Sequence, residues 1–179
     1  MASRQRPSSY QTFNNLHPLL DGTNVRLLRE LQLQPRLGMS ALARRVKMSA
    51  PAVTERVKRL EDEKIIAGYR MDVDPRALGL ALTAYVRVRP APGQLAKVAE
   101  LAERTPNVVE CHRITGEDCF LLKLHVPKIE ELDAILDRFL AYGQTTTSIV
   151  QSSPVPLRPL PLPLDEHIAA KSSREHQDR

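Results

Sequence analysis

The sequence predicts an α+β chain of two units: three helices with a strand wing, then a sheet unit of order βαββαβ. Three observations carry that prediction. Residues 39–66 hold two short helix signals joined by a tight turn, and the second helix is amphipathic and basic. Residues 81–151 change rhythm, mixing strand-like alternation with helix-like apolar spacing. Charge divides the same way. Residues 21–70 carry eleven Lys or Arg against six Asp or Glu, a net of +5, whereas residues 81–151 carry eight against nine, a net of −1. Attraction to a polyanion needs such a concentrated patch; solubility does not.

The elements follow in order. Residues 1–18 are polar and contain Arg4 and Arg6, and read as a flexible arm. Residues 19–70 make the helical unit. Its first helix spans 20–33, with Asp21 as cap, a stripe of Val25, Leu28 and Leu31, and Pro35 and Gly38 ending it. Ser40 is placed as the cap of the second helix, which buries Leu42, Ala43 and Val46; Lys47 and Met48 turn the chain. Ser49 caps the third helix, and Pro51 sits in the first turn, where a missing N–H costs nothing. Val53, Val57 and Leu60 form its apolar face. Pro51, Ala52, Glu55, Lys58 and Arg59 face the other way, with Arg56 on the flank. Residues 64–70 alternate towards a strand, with Gly68 as a turn, so a wing is expected there. The unit is thus a winged helix-turn-helix, a shape suited to the DNA major groove, although a basic helical hairpin can also be simply solvated.

Residues 71–80 read as a semi-rigid linker, with a turn at Asp74-Pro75, a change of direction at Gly79, and Leu78 and Leu80 packed against something. Residues 81–152 form the second unit. Leu82, Ala84, Val86 and Val88 alternate with Thr83, Tyr85 and Arg87 as a strand stopped by Pro90 and Pro92. A helix over 94–104 follows, then strands over 108–114 and 119–126 around the turn at 115–118. A second helix carries Ile129, Leu132, Leu136 and Phe139, with Gly143 just beyond its end, and residues 145–151 supply the last strand. This order is the ferredoxin-like arrangement, with helices on one side of an antiparallel sheet. Its other side needs solvent-tolerant residues or another subunit. Residues 153–179 are a proline-rich tail, with five prolines in ten residues favouring an extended polyproline II path. A docking motif, a strap along a neighbouring subunit and a disordered tail all remain open for it.

Some function classes drop out. No stretch is long and apolar enough for a membrane span, and the start lacks a signal-peptide pattern. Two cysteines, Cys111 and Cys119, are too few for a disulfide framework, so a cytoplasmic setting is the default. Cys111, His112, Cys119 and His125 raise the question of a metal. In a hairpin turning at 115–118, Ile114 faces Cys119 and Glu110 faces Lys123. His125 then falls two pairings from His112, too far to share an ion at about 2 Å bonds. No metal and no cofactor are expected, and no catalytic motif occurs.

The segments LLDGTNVRLLREL and SALARRVKMSAPAVTERVKRLEDEKIIAGYR, followed by the βαββαβ unit with RITGEDCFLLKLHV, resemble the Lrp/AsnC (feast/famine) transcriptional regulators over residues 20–151. That resemblance implies a first domain that binds double-stranded DNA. It also implies a second domain that forms dimers, assembles them further into a ring of four, and responds to an amino-acid effector. The expected setting is the nucleoid, and the expected targets are amino-acid metabolism genes. The chain looks similar to actinobacterial members, which points to an alanine dehydrogenase gene as one candidate target. The long arm and the proline-rich tail depart from the family's compact ends. Asn24 stands where the family often has Asp, a change expected to be mild.

Carried over by position, the recognition helix spans 49–63. Pro51, Ala52 and Glu55 are placed near base edges, Ser49 and Thr54 near the backbone, and Arg56, Lys58 and Arg59 on phosphates. Glu55 either accepts from a cytosine amino group or pairs with Arg59 one turn on. Thr115, Gly116, Glu117 and Asp118 correspond to the effector signature. A zwitterion needs N–H donors for its carboxylate and acceptors for its ammonium, which a glycine turn with two acids offers. A plain solvated hairpin is the alternative. Two rival functions are a metal- or redox-sensing winged-helix regulator, and a small enzyme or amino-acid-binding module carrying a basic helical domain.

Overall fold

The structure is a computed structural model that describes residues 16–163. Residues 1–15 of the arm and 164–179 of the tail lie outside the described residues. The chain divides into two compact units, Met1–Arg70 with Leu157–Arg179, and Met71–Pro156.

The first unit holds three helices. α1 is Gly22–Leu33, and the Asp21 carboxylate caps it by accepting the Asn24 N–H at 2.7 Å. α2 is Met39–Val46, and its cap is Gly38 rather than Ser40; Ser40 lies inside the first turn and no side chain caps the helix. Lys47 ends α2 in the left-handed conformation at φ 57°, and the Met48 N–H reaches the Ala43 carbonyl at 3.0 Å. This αL closure turns the chain in two residues. α3 is Ala50–Asp62, capped by Ser49 as expected, with the hydroxyl accepting from the Ala52 N–H at 3.4 Å. Leu27, Leu31, Leu42, Ala43, Val46, Val53 and Val57 interlock in one buried cluster. Truncating one of the larger members to Ala costs about 2–5 kcal/mol.

The expected wing strand does not form. Lys64 is left-handed at φ 57°, and the Ile66 N–H returns to the Leu60 carbonyl at 3.0 Å, so these residues close α3 instead of starting a ladder. A strand also needs a partner, and the first unit has none among the described residues. The Tyr69 hydroxyl instead donates to Glu61 on α3 at 2.9 Å. Burial and that carboxylate push the phenol pKa up to about 12.

A short 3₁₀ turn, Pro75–Leu78, opens the second unit, capped by Asp74 and ended by Gly79 at φ 77°. Leu78 is 65% exposed, so the packing expected of it is absent within the described chain. The sheet is β1 Leu82–Pro90, β2 Val108–Arg113, β3 Phe120–Val126 and β4 Gly143–Ile149, in the antiparallel order β2-β3-β1-β4. α4 Leu95–Glu103 and α5 Ile129–Leu140 complete it. Ala84, Val86 and Val88 of β1 join Phe120, Leu122, Leu124 and Val126 of β3 in the core, with Val98 and Ala102 of α4 and Leu132, Ile135 and Phe139 of α5. The expected register holds: Glu110 faces Lys123, and the Ile114 N–H reaches the Cys119 carbonyl.

Gly143 has a different task from helix capping. It starts β4 opposite Pro90, and a Cβ there would collide with the Arg89 carbonyl oxygen, so the pairing of β4 with β1 requires glycine. That pairing also draws the start of β4 two residues ahead of the β-branched run.

Candidate nucleic-acid interface and effector turn

α3 shows its polar side to solvent. Ser49, Pro51, Thr54, Glu55, Lys58 and Arg59 are exposed and Ala52 is half-buried, while Val53, Val57 and Leu60 lie underneath. Two of these side chains serve the helix itself: Ser49 caps it, and the Thr54 hydroxyl donates to the Ala50 carbonyl at 2.9 Å. Among the described residues, Glu55, Lys58 and Arg59 enter no ion pair, so the Glu55–Arg59 pairing is not formed. These groups stay available to a ligand.

Arg56, expected on phosphates, is engaged within its own unit. Its guanidinium donates to Asp21 at 2.9 Å and to the Asn24 side-chain oxygen at 3.0 Å. Asn24 is 4% exposed and uses both ends of its amide, since its NH₂ also donates to the Leu19 carbonyl at 2.6 Å. The cap of α1 and the middle of α3 are thereby joined through one polar cluster. Burial raises the Asp21 carboxyl, but the Asn24 N–H and the Arg56 guanidinium outweigh it and hold the pKa below the ordinary value. Arg45 does the same service for α2, pairing with Glu30 at 2.7 Å and donating to Gln34 at 2.9 Å.

In the second unit, Gly116 carries the turn at φ 114°, a conformation that disfavours any side chain. Thr115, Gly116 and Glu117 are exposed, and Asp118 is half-buried. The two acids already have partners that sequence reasoning missed. Arg89 pairs with Glu117, and Asp118 lies 3.7 Å from both Arg87 and Arg89. The signal was present in the β1 alternation, which puts Arg87 and Arg89 on the face away from the helices; only the β1–β3 pairing shows that the turn folds onto them. The Cys119 N–H, donating to the Val88 carbonyl at 3.0 Å, fixes that approach. Further along this open face, Lys123 pairs with Glu110 at 3.1 Å, and the Lys123 contact holds the Glu110 carboxyl below the usual range.

Cys111 is exposed and Cys119 half-buried, both as free thiols. Partial burial and the nearby Glu103 push the Cys111 thiol up, which lowers its thiolate fraction. Burial and Lys123 push His125 below its ordinary value, and Thr83 shares a hydrogen bond with its Nδ1 at 2.9 Å. A redox role gains nothing from that thiol.

A capped basic helix on a trihelical scaffold, joined to a separate α+β unit, defines a DNA-binding regulator with a ligand domain. Residues 20–61 match the AsnC-type helix-turn-helix domain and residues 83–160 the Lrp/AsnC ligand binding domain. The chain belongs to the Lrp/AsnC family of transcriptional regulators. It is 32% identical to the transcriptional regulator LrpC of Bacillus subtilis over 133 residues, covering 74% of this chain and 92% of the relative. The solved structure of that regulator superposes with a TM-score of 0.71, covering 75% and 96% of the two chains. The proline dehydrogenase transcriptional activator of Rhodobacter capsulatus is 33% identical, with 69% and 82% covered. A transcriptional regulator from Neisseria meningitidis, solved as a complex with L-Met, is 27% identical with a TM-score of 0.71, covering 79% and 96%. Family and relatives are regulators and not enzymes, so the metal- or redox-sensing and enzymatic readings are not favoured.

Proposed function

We propose that this regulator reads DNA through α3 and answers to an amino acid held at the 115–118 turn. The observation that carries the first half is the division of labour along α3. Arg56 is spent on holding the helix, while Lys58 and Arg59 project with no carboxylate partner among the described residues. Lys58 and Arg59 then meet phosphates, Pro51, Ala52 and Glu55 lie against base edges, and Ser49 and Thr54 face the backbone near the helix start. Arg56 acts through positioning rather than contact. Phosphate contacts supply most of the affinity, and base edges supply the discrimination.

For the effector, the pairs of Arg87 and Arg89 with Glu117 and Asp118 form a small cluster of alternating sign. An α-amino acid is itself a pair of opposite charges. Its carboxylate can exchange for an acid on an arginine, and its ammonium for an arginine on an acid, with Gly116 and Thr115 lending backbone donors. The L-Met complex of the Neisseria relative supports an amino acid as the class. Dimers, and a ring of four of them, are the assembly the reading adopts, with an effector that switches only by binding one assembly state more tightly. The exposed Tyr69, Met71, Val73 and Leu78 support burial of this segment in such a dimer.

The targets we assign are amino-acid metabolism genes, in keeping with the proline dehydrogenase activator among the relatives. The narrower target, an alanine dehydrogenase gene, draws on the actinobacterial resemblance alone. The site of action is the nucleoid in the cytoplasm. One experiment tests the whole reading: titrate the chain against its own upstream region and against alanine dehydrogenase upstream DNA, repeat with each common amino acid, and measure particle mass in parallel. Salt-sensitive binding shifted by one amino acid supports it; binding indifferent to all of them refutes the effector half.

A further inference from the structure

The proline-rich segment does not trail from the sheet unit. Its described residues 157–163 group with the first unit, so the chain leaves that unit after Arg70 and returns to it at Leu157. Two hydrogen bonds mark the return. The Gln32 side-chain NH₂ donates to the Leu160 carbonyl at 3.1 Å, and Arg29 donates to the Pro163 carbonyl at 3.4 Å. Pro163 is buried.

The chemistry of the two partners explains the match. Pro154, Pro156, Pro159, Pro161 and Pro163 lack N–H groups, and the pyrrolidine rings fix φ, so the segment is rich in acceptors and already stiff. Polyproline II repeats every three residues, which turns the carbonyls of Leu160 and Pro163 to the same side. Gln32 and Arg29 are also three apart, on one face of α1. Donors on the helix thus meet acceptors on the strap in matching order, the long Arg29 and Gln32 side chains spanning the difference between about 4.5 Å along the helix and about 9 Å along the strap, which runs opposite to α1. The leucines of the strap stay outside: Leu157 is 71% and Leu160 81% exposed. Backbone acceptors and Pro163 make the contact, and a stiff segment loses little entropy in making it.

We propose that the outer face of α1 is a receptor for this chain's own proline-rich segment, and that the docked strap is a second tether on the DNA-binding unit. With the strap in place, two connections join the units, at residues 70–71 and 156–157. A DNA-binding unit held twice has fewer orientations to lose when several units of one assembly bind a single duplex. The match to the ligand binding domain stops at residue 160, so Pro163 lies beyond what the family model covers.

The test uses the full chain with Cys111→Ser and Cys119→Ser, carrying Gln32→Cys and Leu160→Cys. A short bis-maleimide, whose arm spans thiols that do not face each other, should bridge the two within one chain, seen by mass as one linker joining both peptides at monomer mobility. Chains linked into dimers would overturn docking on the chain's own α1, and linker attached at one end only would overturn docking altogether. A second variant ends at Gln151 and is titrated on two probes, a long duplex from the upstream region and a duplex too short for more than one DNA-binding unit. Truncation should weaken the long duplex about 3- to 10-fold and leave the short one within about twofold. Equal loss on both would mean the strap only stabilises the helical unit, and no loss on either would remove the tether; a chain that binds neither before truncation fails as a DNA-binding protein instead.

Discussion

Two polar faces of this molecule use the same side chains in opposite ways. On α3, Lys58 and Arg59 stand exposed with no carboxylate partner among the described residues. On the open face of the sheet, Arg87, Arg89 and Lys123 are each matched by an acid, Glu117, Asp118 or Glu110. A polyanion supplies charge of one sign at regular spacing, so a surface that binds it gains by leaving its cations unpaired, at the cost of some self-repulsion. A zwitterion supplies both signs at once and is best met by a surface already balanced. Charge balance, more than charge content, separates the two faces.

The largest effect is expected where the unpaired cations are removed. Lys58→Ala with Arg59→Ala should lower DNA affinity on all sequences alike, by about tenfold or more at physiological salt, and flatten the salt slope by about two units, one for each phosphate contact. Thermal stability should shift by no more than about 0.5 kcal/mol, because both side chains are exposed. A loss confined to one base position, read from a panel of single-site operator changes, would contradict the phosphate role and erase the contrast between the faces.

Next in size is the balanced face. Gly116→Val forces a β-branched residue into φ 114°, a strain of about 1–3 kcal/mol, and moves the Glu117 and Asp118 carboxylates off Arg87 and Arg89. Effector response should vanish while DNA affinity without effector stays within about twofold, as measured by calorimetry and gel shift on the same sample. Unchanged effector affinity would sink the turn as the site.

Arg56 lies between the two modes, a cation on the DNA-reading helix that is nevertheless paired. Arg56→Met should cost about 1–3 kcal/mol of stability, because the buried Asn24 oxygen loses its donor. DNA binding should weaken through the loosened helix, with the salt slope unchanged. A flattened slope would make Arg56 a phosphate contact after all.

How much of this was legible beforehand follows from the range of each signal. Caps and stripes are local, so Asp21, Ser49, Val53, Val57 and Leu60 could be read within one or two turns of chain. The β2–β3 register followed from the turn between the strands, and Glu110 opposite Lys123 came with it. Ser40 misled because a glycine at Gly38 lets the helix begin two residues early, with no side chain needed. The wing misled because alternation in residues 64–70 says nothing about whether a neighbouring strand exists. Arg56, Arg87 and Arg89 were visible as exposed-face cations, but their partners lie 35, 31 and 28 residues away and belong to other elements. The docking of the strap on Gln32 spans 128 residues and left no local trace. Long-range polar pairing was where the sequence was silent, and it is also where the two faces acquire their difference.

The smallest effect is a pH dependence, and it concerns the joint behind the unpaired face. The folded-state pKa of Asp21 is lowered, with the cap to Asn24 and the Arg56 pair outweighing burial. A carboxylate with a depressed folded pKa contributes stability that is fully present above its unfolded value of about 3.9 and is lost as pH falls through the folded value. The helical unit should therefore show an acid limb of instability below about pH 4 that Asp21→Asn removes, because the amide does not titrate. At neutral pH the same variant keeps a cap but loses the carboxylate charge that faces Arg56, and since both side chains are partly solvent-accessible the loss there should be under about 1 kcal/mol. Chemical denaturation of wild type and variant across that range measures both numbers. If the acid limb persists unchanged in Asp21→Asn, the cluster behind α3 is not held by this pair, and the steadiness of the unpaired face must come from the apolar side of the helix alone.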